Sequence, residues 1–501
     1  MSKKNKNKKK DKKYYYFAPK GTNAVIHGSQ VKGYYYDIDR SIHQELEDHT
    51  QKAKKNILDY PADNQGDIQL VIDCLGSLVK YNPEKNVFLC YTGKLWLADD
   101  NGQLERWVIP IMSMRRDVTL NKLKKRPYDP ICGELKRHAT RCCNQSNIRA
   151  IINGLKSMLE CRDYMFDTKP YLLNVLNGTI DLRSGKLREH NRNDYITLMI
   201  PFQYNKDEKS LVFHKLLKQT FGSDLYIDYI QRMLGYCITG ETKEHVIHLC
   251  VGNGANGKST FFLVMRYILG GYAAVVPPKV LVGIDKTNAA SSEIAQLPHV
   301  RLVSCSELNC NDLLNEGKIK SLASGDTISA RQLYGKSFTY DPEFKIIIDT
   351  NYLPQITGTD HGIWRRIRVV PFNHTVPKDK INKELPYELK RASSAILSWL
   401  VQGAISYYKN GLEPCEEVSK ATKAYRKSQD TLGGFIDACI RSKDGGEIRA
   451  RSLYAAYCEY CSDNFLTPMS ETKFGRDLAA KDFKRAKDKK SRKYLDIELI
   501  K

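Results

Sequence analysis

Gly252-Asn-Gly-Ala-Asn-Gly-Lys-Ser259 is the stretch that decides how this chain folds. It matches G-x-x-x-x-G-K-[ST] without a gap, and both flanks agree with that reading. His245 to Val251 is a short apolar run with the composition of a buried strand. Thr260 to Leu269 has the pattern of a helix, stopped by Gly270-Gly271. A strand, a glycine-rich turn and a helix N-terminus together make an anion site, because free backbone N–H groups and the helix dipole point the same way. Gly252, Asn253, Gly254, Ala255, Asn256, Gly257, Lys258, Ser259 and Thr260 are the expected contacts for ATP. Lys258 would reach the β- and γ-phosphates, and Ser259 would place its hydroxyl on Mg2+. The plainer reading, a glycine-rich turn before a core helix, does not explain why loop and flanks agree.

Three further features follow in order. His299-Val-Arg-Leu-Val-Ser-Cys-Ser-Glu307 is a short apolar strand ending in an acid. A carboxylate there can polarise an attacking water and help hold the metal. Phe344-Lys-Ile-Ile-Ile-Asp-Thr-Asn351 is a second strand ending in a polar amide, which can orient that water. Gly362-Ile-Trp-Arg-Arg-Ile-Arg368 offers a guanidinium cluster. Arg365 or Arg366, placed across a subunit boundary, can stabilise charge on a transferring phosphoryl group. Each feature is common alone; the order and spacing behind a complete phosphate loop make coincidence a poor explanation.

GNGANGKSTF (252–261), SELNCNDLLNEGKIKSLASGDTISARQLY (306–334), KIIIDTNYLPQITGTDHGIWRRIRVVPF (345–372) and the upstream NGTIDLRSGKLREH (177–190) resemble the superfamily-three helicases. The likeness is to the phage and plasmid primase-helicases related to the poxviral one, and it covers Tyr171 to Thr375 best. It implies an AAA+ fold, a homo-oligomeric ring (usually a hexamer) and ATP-driven unwinding of DNA. It also implies that the hairpin Ile328 to Phe338, with Tyr334, Gly335 and Lys336 at its turn, enters the ring's channel and holds a single strand. A cation there contacts phosphate while an aromatic stacks on a base. Lys320 and Arg331 are weaker candidates by the same match. In one place the chain departs from the family: Ser306 stands where the superfamily commonly has the first of two adjacent acids. Glu307 then acts alone, with Mg2+ held mainly by Ser259, phosphates and water, and a second protein ligand is left open.

The rest of the chain frames this motor. Its 501 residues carry a formal charge of +22, concentrated at both ends and in the motor, so a polyanion is the expected partner. No run of apolar residues is long enough to span a membrane, and the basic N-terminus lacks the apolar stretch of a secretory signal. The expected location is the cytoplasm of a bacterium or of a virus's host, with the nucleus open. Met1 to Lys13 holds eight lysines and one Asp, a block that repels itself. It is either a nonspecific grip on phosphates or a solubilising tail. Most of the fourteen cysteines lie scattered in apolar segments, and Cys458-Glu-Tyr-Cys461 has no second pair at zinc-ribbon spacing. Asp37-Ile-Asp39 reads as a polar strand end; as a primase carboxylate pair it has too little chain before it and no partner acid cluster after it.

The expected architecture is α/β, in four parts. Residues 1–60 are a basic tail and short segment, 61–205 an α+β domain, 206–428 the phosphate-loop AAA+ motor with flanking helices, and 429–501 a C-terminal winged helix. In the last, a recognition helix bearing Lys473 and Arg476 is followed by a basic hairpin with Lys484, Arg485, Lys489 and Lys490, expected to meet duplex DNA. The function expected is an ATP-dependent DNA helicase in replication of a phage, plasmid, genomic island or virus. Two alternatives stand beside it. One is a nucleotide-gated DNA clamp or origin-recognition protein with weak ATPase. The other is a helicase-primase whose primase comes from Asp37/Asp39 or a partner, which could be a primase or a polymerase.

Overall fold

The computed structural model describes residues 38–125, 132–254, 256–283, 292–309, 312–331, 335–356, 361–377, 382–464, 466, 468–487 and 492–500. Ala255, Tyr334, Lys489, Lys490 and Asp37, all named above, lie outside them, as does the basic N-terminal block.

The first described element corrects an expectation. Asp39 is not at a strand end; it is the N-cap of helix Arg40–Lys55. Its carboxylate accepts from the Ser41 amide and the Ser41 hydroxyl, both at 2.9 Å. Those hydrogen bonds, the amide first, hold its pKa below the ordinary carboxylate value. An acid committed to a helix cap is poorly placed to hold a metal.

Helix Asn64–Leu75 follows, capped by Asp63 and ended at Gly76, whose φ of 58° suits glycine. The sequence suggests a helix from Leu70 through Val79, but Val79 already opens strand Val79–Asn82. The hairpin expected around Thr92-Gly93 is present as Val87–Tyr91 and Trp96–Ala98, with Trp96 buried. Val118 to Leu123 is only the tail of helix Gln103–Lys124, whose internal Pro110 disguised its length. Helices Cys132–Arg141 and Gln145–Met158 complete the unit around Leu70, Val71, Trp107, Ile111 and Ile148. Inside it, Asp67 pairs with Arg115 at 2.7 Å and also meets His138 and Asn147, so the buried charge is compensated on several sides.

An antiparallel meander, Leu172–Val175, Gly178–Asp181 and Lys186–Arg188, turns at Asn177-Gly178 and Ser184-Gly185 as the turn residues predict. Its apolar residues Leu173, Val175, Ile180 and Leu182 share one core with Phe261, Phe262 and Met265 of the phosphate-loop helix. Helices Leu211–Phe221 and Asp224–Cys237, capped by Ser210 and Ser223, lie under the same core. Helix Ser393–Asn410 crosses the second of them where Gly235 faces Gly403. A Cβ on Gly235 would lie 2.0 Å from the Gly403 carbonyl carbon, so only glycine permits this approach.

The central sheet has five parallel strands. From edge to edge they are Ile367–Pro371, Ile247–Val251, Lys345–Thr350, Leu302–Ser306 and Ala273–Val275. By chain position the order is 5-1-4-3-2. Parallel strands are covered on both faces, which is why the inner ones read as continuous apolar runs rather than alternating ones.

The C-terminal unit runs helix Thr431–Cys439, strand Ile440–Arg449, helix Ala450–Asp463, helix Glu471–Ala480 and strands Arg485–Lys487 and Arg492–Leu499. The sequence reading has its three helices and final hairpin but not the strand Ile440–Arg449. That strand is mostly polar and exposed, so periodicity hides it; it exists because it pairs with Arg492–Leu499. Leu432, Phe435, Leu453, Tyr457, Phe474 and Leu478 form a separate small core. Among the described residues every cysteine is free and no cluster of three or more acid, Cys or His side chains could hold a metal. No described helix is long and apolar enough to cross a membrane.

Candidate active site

In a parallel sheet every strand ends on the same side, and three of those ends carry the predicted chemistry. Strand Ile247–Val251 runs into the phosphate loop, and helix Lys258–Leu269 leaves it. Gly257 caps that helix at φ 75°, a left-handed conformation that suits glycine, and it brings no side chain to occupy the first-turn amides. Asn256 is buried; its Nδ2 donates to the Phe372 carbonyl at 3.1 Å and its Oδ1 accepts from the Lys258 amide at 3.3 Å. It braces the loop against the neighbouring strand end. Asn253 and Ser259 are exposed, Ser259 on the first turn of the helix where its hydroxyl can meet a cation.

Lys258 is buried, and its amine is fully engaged. It donates to the Thr350 carbonyl at 2.7 Å, lies 3.4 Å from Asn351 Oδ1 and makes a 2.6 Å ion pair with Asp349 Oδ1. Thus Asn351 is brought to the phosphate-loop lysine. Asp349, buried with it, is a residue that sequence reasoning passed over inside the apolar strand. Its signal was there: a carboxylate in the middle of Ile-Ile-Ile-Asp-Thr is costly unless paired.

Glu307 sits just past the end of Leu302–Ser306 and is exposed. Its φ of 66° is left-handed, uncommon for a residue with a Cβ. Its amide donates to the Asp349 carbonyl at 3.2 Å, which fixes it beside the central strand end. Ser306 is the direct register partner of Asp349 across the parallel ladder.

The arginines separate. Arg365 is exposed, whereas the Arg366 guanidinium folds back to donate to the Gly362 carbonyl at 2.7 Å. Both precede strand Ile367–Pro371, which pairs in register with Ile247–Val251, so they lie at the end of the sheet opposite the phosphate loop. Five residues at about 3.3 Å each put roughly 16 Å between the two ends. Within one subunit no arginine side chain crosses that gap.

Between the ends, the strand holds no group that titrates near neutrality. Burial, with the nearby Arg368 charge, pushes His248 down to about 3, and burial pushes the Cys250 thiol well up.

The expected nucleic-acid contacts are scattered. Strands Ile328–Arg331 and Ser337–Tyr340 make the predicted hairpin, with Lys336 exposed beside its turn. Arg331 is exposed too, but its Nε donates to the Gly335 carbonyl at 3.0 Å and so braces the turn. Lys320 is half-buried on helix Glu316–Ala323. In the C-terminal unit Arg476 is exposed and Lys473 half-buried on helix Glu471–Ala480. The cations of its sheet are less available than their number suggests. Lys484 pairs with Asp496 at 2.9 Å, Lys493 with Glu447 and Lys443 with Glu498 at 2.8 Å, and Arg485 lies over the Tyr494 ring.

The parallel sheet, loop and strand ends are consistent with a phosphate-loop α/β class. A family model described as "D5 N terminal like" matches residues 69–222, and one described as a family of unknown function matches 250–366. A protein of Acanthamoeba polyphaga mimivirus named "Putative helicase" is 28% identical over 360 residues, 65% of this chain and 37% of the relative. One of African swine fever virus named "Putative primase" is 24% identical over 367 residues, 67% of this chain and 38% of the relative. The chain therefore spans less than two fifths of the length of these relatives. The solved NrS-1 C-terminal region aligns with TM-score 0.46 at 11% identity, over 86% of this chain and 99% of that one, a score that carries no argument. The chain carries a D5-N-terminal-like domain and is a distant homologue of viral proteins named putative helicases and putative primases.

Proposed function

We propose that the chain is an ATP-driven DNA helicase subunit acting in replication of a virus or mobile element, its motor an AAA+ unit in a homo-oligomeric ring, most simply a hexamer. The observation that carries this is the convergence of Lys258, Glu307 and Asn351 at one end of the parallel sheet, with exposed Arg365 at the opposite end. That division suits a site shared between subunits: one chain supplies the loop, acid and amide, and its neighbour supplies the guanidinium.

In this reading the loop Gly252 to Ser259 binds the phosphates of ATP and Lys258 neutralises them. Ser259 and Glu307 are oxygen donors of the kind Mg2+ takes, and they fit it: one is an exposed hydroxyl on the first helical turn, the other an exposed carboxylate at the adjoining strand end. The metal would supply charge neutralisation between the phosphates. Glu307 polarises the water, Asn351 orients it and Arg365 stabilises the charge that develops. The hairpin carrying Lys336 contacts the single strand in the channel.

The four units proposed are 1–60, 61–205, 206–428 and 429–501. The separate cores support the second, third and fourth, although the meander Leu172–Arg188 packs with the motor. Helix, strand, helix, helix and two-stranded ribbon in 431–499 support a winged helix that meets duplex DNA, with Lys473, Arg476, Lys484 and Arg485 among its contacts. The capping role of Asp39 weighs against a primase centre at Asp37/Asp39. A primase or polymerase, if one takes part, would be a separate partner.

The test uses purified protein with ATP, Mg2+ and forked DNA bearing a 3′ or a 5′ tail. Strand separation that needs hydrolysable ATP supports the helicase. Nucleotide-dependent DNA binding without separation on either tail replaces it with a DNA clamp.

A further inference from the structure

We propose that Asp349 is the second carboxylate of the metal site, holding Lys258 at rest and exchanging it for the divalent cation that arrives with the nucleotide. This rests on the reading of the loop as a nucleotide site.

At rest Lys258 is fully committed. Its amine is buried and held by Asp349, the Thr350 carbonyl and Asn351, all at the end of the central strand. To serve a phosphate it has to turn from that strand end toward the loop. Asp349 is then a carboxylate with 7% exposure and no direct ion-pair partner, offset only by the more distant, half-buried Arg266 guanidinium, an unfavourable arrangement. Backbone donors do not relieve it: Oδ1 is buried and takes no aligned hydrogen bond, with the Lys258 amine 2.6 Å away. A cation has to replace the lysine, and the one that enters with a nucleotide is the divalent metal, a hard ion that prefers carboxylate oxygen.

The position fits as well. Asp349 pairs in register with Cys250 of the phosphate-loop strand on one side and with Ser306 on the other. It therefore lies between the loop and Glu307, whose amide is bonded to the Asp349 carbonyl. Ser306 carries a hydroxyl at the end of the acid strand, and the carboxylate that could stand there is found one strand over.

The exchange makes the affinity for nucleotide depend on metal in a particular way. Without metal, binding must strip Lys258 from Asp349 and leave the acid bare; with metal, the acid gains a partner. The measurement is the affinity for a fluorescent ATP analogue with Mg2+ and with EDTA, by anisotropy. In the unaltered chain Mg2+ should tighten binding markedly. Asp349→Asn should bind the metal-free analogue at least as well as the unaltered chain, and the gain from Mg2+ should shrink by about tenfold or more. A pair that served only the fold would instead lower thermal stability and leave the Mg2+ gain unchanged.

The double substitution Ser306→Asp/Asp349→Ser moves the carboxylate one strand across the ladder, and it should restore the Mg2+ gain. This variant also keeps an acid near Lys258 should Asp349→Asn fold poorly. An unchanged Mg2+ gain in Asp349→Asn, or no gain in the folded swap, overturns the role of Asp349. Failure of the unaltered chain to bind the analogue at all would remove the nucleotide reading instead.

Discussion

Two lysine–aspartate pairs in this molecule have nearly the same length and opposite meaning. Lys258 and Asp349 meet at 2.6 Å with side chains only 5% and 8% exposed. Lys484 and Asp496 meet at 2.9 Å with 74% and 36% exposure. In the motor, low dielectric makes the attraction strong and makes loss of either partner expensive, because the other is stranded. In the C-terminal unit, water and salt screen the pair, and such contacts add little to stability. The buried pair can change partners only when another charge arrives. The exposed pair can be given up to a DNA phosphate at almost no cost.

The largest effects should come from breaking the buried pair. Lys258→Ala is expected to reduce ATP turnover by about 10³-fold or more, since the loop's backbone alone cannot replace a cation at the phosphates. It should also destabilise the fold by on the order of 3–5 kcal/mol, through the stranded Asp349. Lys258→Ala/Asp349→Ala should regain most of that stability in a denaturant titration and none of the turnover. Turnover within a few-fold of the unaltered chain in the single variant would sink the phosphate-loop assignment.

Glu307→Gln comes next. The residue is exposed, so stability should hardly move, while hydrolysis falls by about 10²–10⁴-fold as the polarising charge disappears. Nucleotide affinity should stay near that of the unaltered chain. Normal hydrolysis would place the polarising acid elsewhere.

The split between the two arginines sharpens the contrast between charges that face outward and charges that brace the fold. Arg365→Ala should abolish hydrolysis in pure rings yet regain part of it when mixed with Lys258→Ala subunits. Mixed rings join an intact loop to an intact neighbouring guanidinium. Arg366→Ala should cost stability first, because its guanidinium holds the Gly362 carbonyl. No recovery for Arg365→Ala at any ratio, with mixed rings demonstrated, would count against a role across the subunit boundary.

The smallest effects belong to the exposed pair. Lys484→Ala should leave stability nearly unchanged in a denaturant titration. If Lys484 serves a phosphate, duplex affinity falls a few-fold, and the slope of log K against log salt drops by roughly 0.9. Removing Thr431 to Lys501 should flatten that slope much further while leaving ATPase stimulated by single strands. A truncated chain with an unchanged salt slope would remove the C-terminal unit from the list of DNA contacts.

What the sequence determined by itself is local. Eight consecutive residues specify the phosphate loop, because loop geometry and anion binding depend on neighbours in the chain. Apolar runs ending in Glu307 and Asn351 specify buried strands, because a parallel sheet covers both faces. Asn177-Gly178 and Thr92-Gly93 were legible for the same reason: each acts within a few residues. The tertiary structure decided which of these pieces meet. Only the strand order sets Asp349 against Lys258 and between Cys250 and Ser306, and only the register sends Arg365 to the end away from the loop. Strand Ile440–Arg449 follows the same rule, being a strand through its partner rather than its composition. The cations of the C-terminal sheet do too, for their acids lie on strands that neighbour them in space. A charge's partner, and whether water reaches it, is a property of packed strands, and no window of sequence contains it.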